Sequence, residues 1–269
     1  MDASVRTLPE YKEPPVFEVV CGVQFDPLVS FSSVHFGEFW QRVKKDYPRT
    51  EDRPPLAEVF EGGKSPVVGA EIIDIPPLRR VFFIDPTENF LLQVQPSRFL
   101  ANWRKTKGAD EYPRYSAAQD RFIKGWKAFV DFASEAGLGI PQANQYELTY
   151  INHIVEAGGT YPEAIEHLVP TFSWKSAQST KFLPVPQSAL IGLQFSLPDS
   201  KGVLYVSLKH GTRLNDQKGV LIVELTARGA AKSDWSDLAG WFDVAHEWIV
   251  QGFTDLTSPS AHQIWGRIR

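Results

Sequence analysis

The stretch NQYELTYINHI, residues 144–154, decides how this chain is read. Tyr146, Leu148, Tyr150 and Ile154 recur at every second position, with Glu147, Thr149 and His153 between them. That is the period of a β-strand with one apolar and one polar face. Asn152 falls on the apolar side. A buried amide needs partners, and the expected ones lie in the segment 99–108 or the C-terminal tail. The same alternation runs through VFEVVCGVQF (16–25), where Phe17, Val19, Cys21, Val23 and Phe25 face away from Glu18 and Gln24.

Working outward, the two stretches open two similar halves. FEVVCGVQF (17–25) sets against YELTYINHI (146–154), VVGAEII (67–73) against LIGLQFS (190–196), VFF (81–83) against LYV (204–206), and LLQVQPSR (91–98) against LIVELTAR (221–228). Four blocks in one order at nearly constant spacing predict an α+β fold made of tandem pseudo-duplicated β-α-β-β-β-α units, residues 1–139 and 140–269, packed as one compact body. The sheet is expected to be mostly antiparallel with helices on one face. Its other face would carry Glu18, Gln24, Gln93, Gln95, Glu147, Thr149, His153, Glu224, Thr226 and Arg228.

Helical spacing of apolar residues predicts helices over 34–47, from Ser116 to about Gly137, over 160–169 and after Ser233. Ala118, Phe122, Trp126, Phe129 and Ala133 form the buried stripe of the second; Leu238, Phe242, Ala245, Ile249 and Phe253 form that of the last. PLAEVFEG (55–62), PVVGAEIIDI (66–75) and NFLLQVQPSRF (89–99) read as single strands, 97–108 as a loop, and SPSAHQIWGRIR (258–269) as a tail without a helix.

Bulk properties set limits. At 269 residues, 43% hydrophobic and 13% aromatic, with 8 Trp and 18 Phe, the chain can bury a sizeable core. A net charge of −4 gives no general pull toward nucleic acid or anionic lipid, and no run is long and apolar enough for a membrane span. The start MDASVRTLPEYKEPP has no apolar leader, and the one cysteine, Cys21, permits no internal disulfide, so a cytoplasmic setting is expected.

Chemical motifs are few. EGGKSP (61–66) ends like a phosphate loop, but Glu58 stands where the first glycine belongs and a strand pattern follows, so it reads as a turn. Cys21 sits on an apolar strand face without a basic neighbour and reads as core. The histidines at 35, 153, 167, 210, 246 and 262 lack metal-ligand spacing. No catalytic residue, metal or cofactor is expected. The candidate ligand-binding groups are Arg98, Asn102, Trp103 and Arg104 in a basic segment, with Glu147, Thr149, His153, Glu224 and Arg228 on the polar sheet face. A cationic loop with a tryptophan can hold a phosphate or stack a ring. Glu147 and Glu224 could pair as carboxylates with His153 as base, while Arg98 and Arg228 could answer Glu18 and Glu147 across strands.

YKEPPVFEVVCGVQF, LLQVQPSRFLANWR, YPRY, YELTYIN and the late IWGR together resemble a sporadically distributed family of uncharacterised bacterial proteins of about this length. The resemblance implies a bacterial accessory setting, of the kind found in defence or toxin–antitoxin loci, and supplies no activity or site residue. The leading expectation is therefore a non-catalytic protein that binds a macromolecular partner or its own copy. The alternative is a small-molecule or nucleotide binding protein, or an enzyme, using the polar face and the basic segment 98–107 for a small anionic ligand. Nucleic acid and membrane are not expected partners.

Overall fold

The structure is a computed structural model and describes residues 7–58, 78–108, 110–155, 168–169, 182, 190–212, 219–232 and 234–269. The expected strand 66–75, the EGGKSP turn, the expected helix 160–169 apart from its last two residues, His167 and the Ser233 cap lie outside the described residues.

Alternation does what it predicts. Strand β1 (Val16–Phe25) is followed by helix α1 (Ser33–Val43), strands β2 (Arg49–Arg53), β3 (Arg80–Ile84), β4 (Phe90–Gln95) and β5 (Arg98–Arg104), and helix α2 (Tyr115–Glu135). The second half supplies β6 (Ala143–Val155), β7 (Leu190–Ser196), β8 (Val203–Thr212), β9 (Gly219–Ala230), α3 (Leu238–Leu256) and the short α4 (Pro259–Ile264). The nine strands among the described residues form one antiparallel sheet in the order β2-β3-β4-β5-β1-β6-β9-β8-β7. The fold is mixed α+β. β1 and β6 hydrogen-bond to each other, with Cys21 opposite Leu148, so the halves share a single sheet.

Helices α2 and α3 pack on one face of that sheet, against β5 and β1 and against β6, β9 and β8 respectively. Beneath them lie Cys21, Val23 and Phe25 of β1, Tyr146 and Leu148 of β6, and Val223 and Leu225 of β9, all fully buried. The expected stripes of α2 and α3 are buried as predicted; Phe99, Trp126 and Phe129 pack ring against ring at 5.5–6.0 Å. Such aromatic cores make large, well-defined contacts at modest entropic cost.

Several local expectations are corrected. Residues 89–99 form a hairpin, because the chain turns at Pro96–Ser97, and the expected loop 97–108 begins with β5. Proline carries no N–H for a ladder and tends to mark such a turn. Counting outward from the β1–β6 seam, β5, β4 and β3 stand where β9, β8 and β7 stand on the other side. VFF (β3) is therefore placed like β7 and not like LYV (β8), and LLQVQ (β4) is placed like β8 and not like β9. Apolar strands of equal length look alike in sequence, so an alignment slips by one strand without penalty. The charged run Arg49–Arg53 forms edge strand β2, which needs no apolar face because solvent wets it. The part of 55–62 that is described, 55–58, is not a strand.

Helix α1 stops at Val43, short of the expected 47, with one further turn made by Asp46 and Tyr47 on the Val43 carbonyl. Helix α2 starts at Tyr115 from Arg114, held at φ 74°, and not from a Ser116 cap. It ends as expected at Gly137, whose φ of 72° suits a residue without a Cβ. The tail does contain a helix: Ser258 accepts a hydrogen bond from the Ala261 N–H at 3.2 Å and Pro259 fills the first turn. A bulge between Val16 and Glu18 turns Phe17 away from the helices and onto His153, ring on ring at 3.8 Å.

Candidate functional site

Alternation places Glu18, Gln24, Gln93, Gln95, Arg98, Asn102 and Arg104 of the first half on the face away from the helices, with Gln145, Glu147, Thr149, Glu224, Thr226 and Arg228 of the second. This face is not open. Gln24, Gln93, Gln95, Arg98, Asn102, Thr149 and Thr226 are buried polar side chains. The segment 54–58 crosses it, where Gln95 Nε2 donates to the Leu56 carbonyl and Gln95 Oε1 accepts from the Leu56 N–H. A small apolar cluster of Phe82, Ile84 and Leu91 lies on the same side.

Two hydrogen-bond chains organise the first half. In one, Arg80 Nη1 donates to Gln93 Oε1 at 2.6 Å, Gln93 Nε2 to Asn102 Oδ1 at 2.7 Å, and Asn102 Nδ2 to Glu18 Oε1 at 2.6 Å. In the other, Arg98 Nη2 donates to Gln24 Oε1 at 2.6 Å, Gln24 Nε2 to Asn144, and Asn144 to Asp26. In the second half, Arg228 Nε meets Glu147 Oε2 at 2.5 Å, and the hydroxyls of Thr149 and Thr226 meet at 2.9 Å.

The charges on this face are unevenly answered. Arg98 is only 6% exposed and its hydrogen bond goes to a neutral amide. Burial, the largest influence, lowers its pKa; Glu147 works the other way and Arg228 adds to the lowering. Arg80 has a buried Nε without a partner, and its pKa is lowered by burial and then by Arg53 and Arg98. Glu18, which acts on Arg80, is pushed upward chiefly by burial, against the Asn102 hydrogen bond and Arg104. Arg80 and Arg98 hydrogen-bond to amides and not to a carboxylate, and Glu147 and Glu58 act on Arg98 only through space. Two guanidiniums thus share a place of low dielectric, where a counter-ion is favoured. Beside Arg228 the face opens into a groove of about 300 Å³ lined by Gln194, Tyr205, Ser207, Glu224 and Thr226.

The structure therefore brings Arg98, Asn102, Arg104, Glu147, Thr149, His153, Glu224 and Arg228 onto one face, and separates Trp103 from them. Trp103 points the opposite way, 2% exposed in the core against Tyr112, since it alternates with Asn102 and Arg104. The basic loop shrinks to 105–108, folded around Asp110. Burial opposes ionisation of Asp110, but hydrogen bonds from the Lys107 and Thr106 main chain, Asn89 and the Thr106 hydroxyl hold its pKa near 2. Glu147 and Glu224 do not pair, because Glu147 lies across from Arg228 and Glu224 across from Ile151. Arg98 meets Gln24 and not Glu18, whose position across the ladder is taken by Arg104. His153 is stacked on Phe17. Sequence reasoning overlooked Arg80; its alternation with Phe82 and Ile84 was the available signal, masked by an otherwise apolar strand.

Among the described residues no cluster of His, Cys, Asp or Glu is arranged to hold a metal ion, and no helix is long and apolar enough to cross a membrane. Cys21 is fully buried, and burial pushes its thiol upward, as expected of a core cysteine. No family model matches the chain, and neither a curated protein nor a solved structure matches it.

Proposed function

We propose that this chain is a non-catalytic bacterial accessory protein that binds a small anionic ligand on the polar face of its sheet, at Arg80 and Arg98. One observation carries the reading: Arg98 is almost wholly buried, yet its hydrogen-bonding partner is the neutral Gln24. Burying a guanidinium that has no carboxylate hydrogen-bonded to it, with Glu147 and Glu58 acting only through space, is costly, and an incoming phosphate or carboxylate reduces that cost. A side chain 6% exposed offers nothing to a protein surface but can accept a small ion, and the groove on this face lies beside Arg228, whose charge Arg98 feels. Titrating inorganic phosphate while following the Arg Nε–Hε signals tests it. Saturable shifts at Arg80 and Arg98, lost in Arg98→Met, are expected; weak shifts that persist in the variant overturn the proposal.

A second reading, self-association, is favoured by β7. This edge strand exposes Leu190 by 74% and Phe195 by 41%, beside a cavity of about 560 Å³ lined by Leu204, Trp248 and Leu256. A second copy adding its own β7 would extend the sheet. Sedimentation of Phe195→Lys against the parent decides it: a parent that is monomeric at all concentrations removes this reading.

The two halves are read as copies of one unit. Glu18 lies across from Arg104 as Glu147 lies across from Arg228, and the strand order runs alike outward from β1 and β6.

A further inference from the structure

Away from the polar face, on the helix side of the seam between the halves, there is a cavity of about 340 Å³. Its walls come from parts of the chain far apart in sequence: Tyr11 and Val16, Tyr112 and Tyr115, Tyr150, and Ile249. The volume is within the range of small-ligand sites, large enough for a molecule of about two fused rings.

Three features define what would fit. Tyr115 is stacked flat on His246 at 3.8 Å and 8°, forming a pair of parallel rings beside the cavity. The Tyr112 and Tyr150 hydroxyls meet at 3.0 Å, and Asn152 Nδ2 donates to the Val223 carbonyl at 3.1 Å. Those three groups are thus already engaged, whereas the ring of His246 and the hydroxyl of Ser116 make no hydrogen bond among the described residues. Burial lowers the pKa of His246 to about 4, so it is a neutral imidazole at pH 7, with one donor and one acceptor.

Walls of Leu8, Pro9, Val16, Ile249, Val250 and Phe253 disfavour a charged occupant. Arg114 and Arg269 stand at its rim and would repel a cation, yet both are committed: Arg114 Nη1 donates to the Tyr11 carbonyl at 2.9 Å, and Arg269 pairs with Glu10 at 3.0 Å. Burial keeps the phenols of Tyr112, Tyr115 and Tyr150 protonated.

Part of the wall is the segment that carries Leu8, Tyr11 and Pro14, and it is fixed to the end of the chain, Glu10 exchanging main-chain hydrogen bonds with Ile268 and Arg269, and Lys12 and Glu13 donating to Gly266 and Trp265. The Tyr11 hydroxyl adds a 2.8 Å bond to Thr254.

We infer that this cavity is a binding site for an uncharged planar aromatic molecule with a hydrogen-bonding edge, stacking beside Tyr115 and satisfying His246. The ligand lies against the paired terminal segments and braces them.

Indole is the probe, with indole-3-acetate and tryptamine as charged comparisons. Saturable binding of indole, about tenfold tighter than of either charged analogue, is expected, together with slower amide exchange in 8–16 and 265–269. Ile249→Trp fills the cavity and should abolish binding. Because Ile249 is deeply buried, the same test is repeated at half-buried Val250 with Val250→Trp. His246→Phe keeps the ring stack but loses the polar edge, and should weaken indole while leaving naphthalene unchanged. Absence of indole binding to the parent protein, or equal binding by the parent and a folded Trp variant, overturns the inference. So does indole binding that leaves exchange in both terminal segments unaltered.

Discussion

Arg98→Met should make this protein more stable while removing its anion site. In the structure the guanidinium is 6% exposed, its hydrogen bond goes to the amide of Gln24, and burial works against its charge. Replacing buried ionic groups by apolar ones of similar volume often stabilises by about 1–4 kcal/mol. Against this, Gln24 Oε1 loses its donor, at about 1–2 kcal/mol. The methionine is flexible enough to fill the vacated stem without strain. At mid-range values, about 2.5 less about 1.5, a net gain of about 1 kcal/mol remains, read as a higher urea midpoint at constant slope. The second arm uses phosphate, which should raise the midpoint of the parent by mass action and leave the variant unmoved. A lower midpoint for Arg98→Met in phosphate-free buffer would refute the reasoning, showing that the guanidinium is a tie that the fold requires.

Trp126, 2% exposed between Phe25, Phe99 and Phe129, should cost about 3–5 kcal/mol when cut to alanine; Trp126→Phe should cost far less, because the indole N–H has no partner to lose, and denaturation midpoints compare them. Gly229→Ala places a Cβ 1.8 Å from the Lys201 carbonyl, which the Trp241 indole also holds at 2.9 Å, so a loss of about 3 kcal/mol or more is expected in the same assay. Glu18 has a raised folded pKa, so from the unfolded value of about 4.3 up to that folded pKa the native state keeps a proton the unfolded chain has released. Stability from this group therefore falls as pH rises through that interval, and Glu18→Gln should gain on the parent across it; equal pH profiles would count against the burial argument. His246 has the opposite slope: its pKa of about 4 makes stability fall on acidification from about pH 6.5, and His246→Phe should flatten that fall.

What the sequence determined by itself was everything that depends on local period. In YELTYINHI the alternation assigns Tyr146, Leu148, Tyr150, Asn152 and Ile154 to the helix face and Glu147, Thr149 and His153 to the other, and the structure keeps every one of them. The helical stripes through Trp126 and Ile249 were legible for the same reason, since 3.6-residue spacing needs no knowledge of the partner. Asn152 was correctly read as a buried amide in need of partners, but its partner is the Val223 carbonyl on β9, not the segment 99–108 or the tail. A single amide cannot announce which distant carbonyl it will meet. Tertiary structure alone decided such pairings: Arg98 with Gln24 and not Glu18, Trp103 in the core and not on a loop, and the cavity walled by Tyr11, Tyr112, Tyr115, Tyr150 and His246. Each depends on strand order and ladder register between residues separated by tens to hundreds of positions. Those contacts are set by how apolar faces share one sheet and two helices, a property of the whole chain that no local spacing carries.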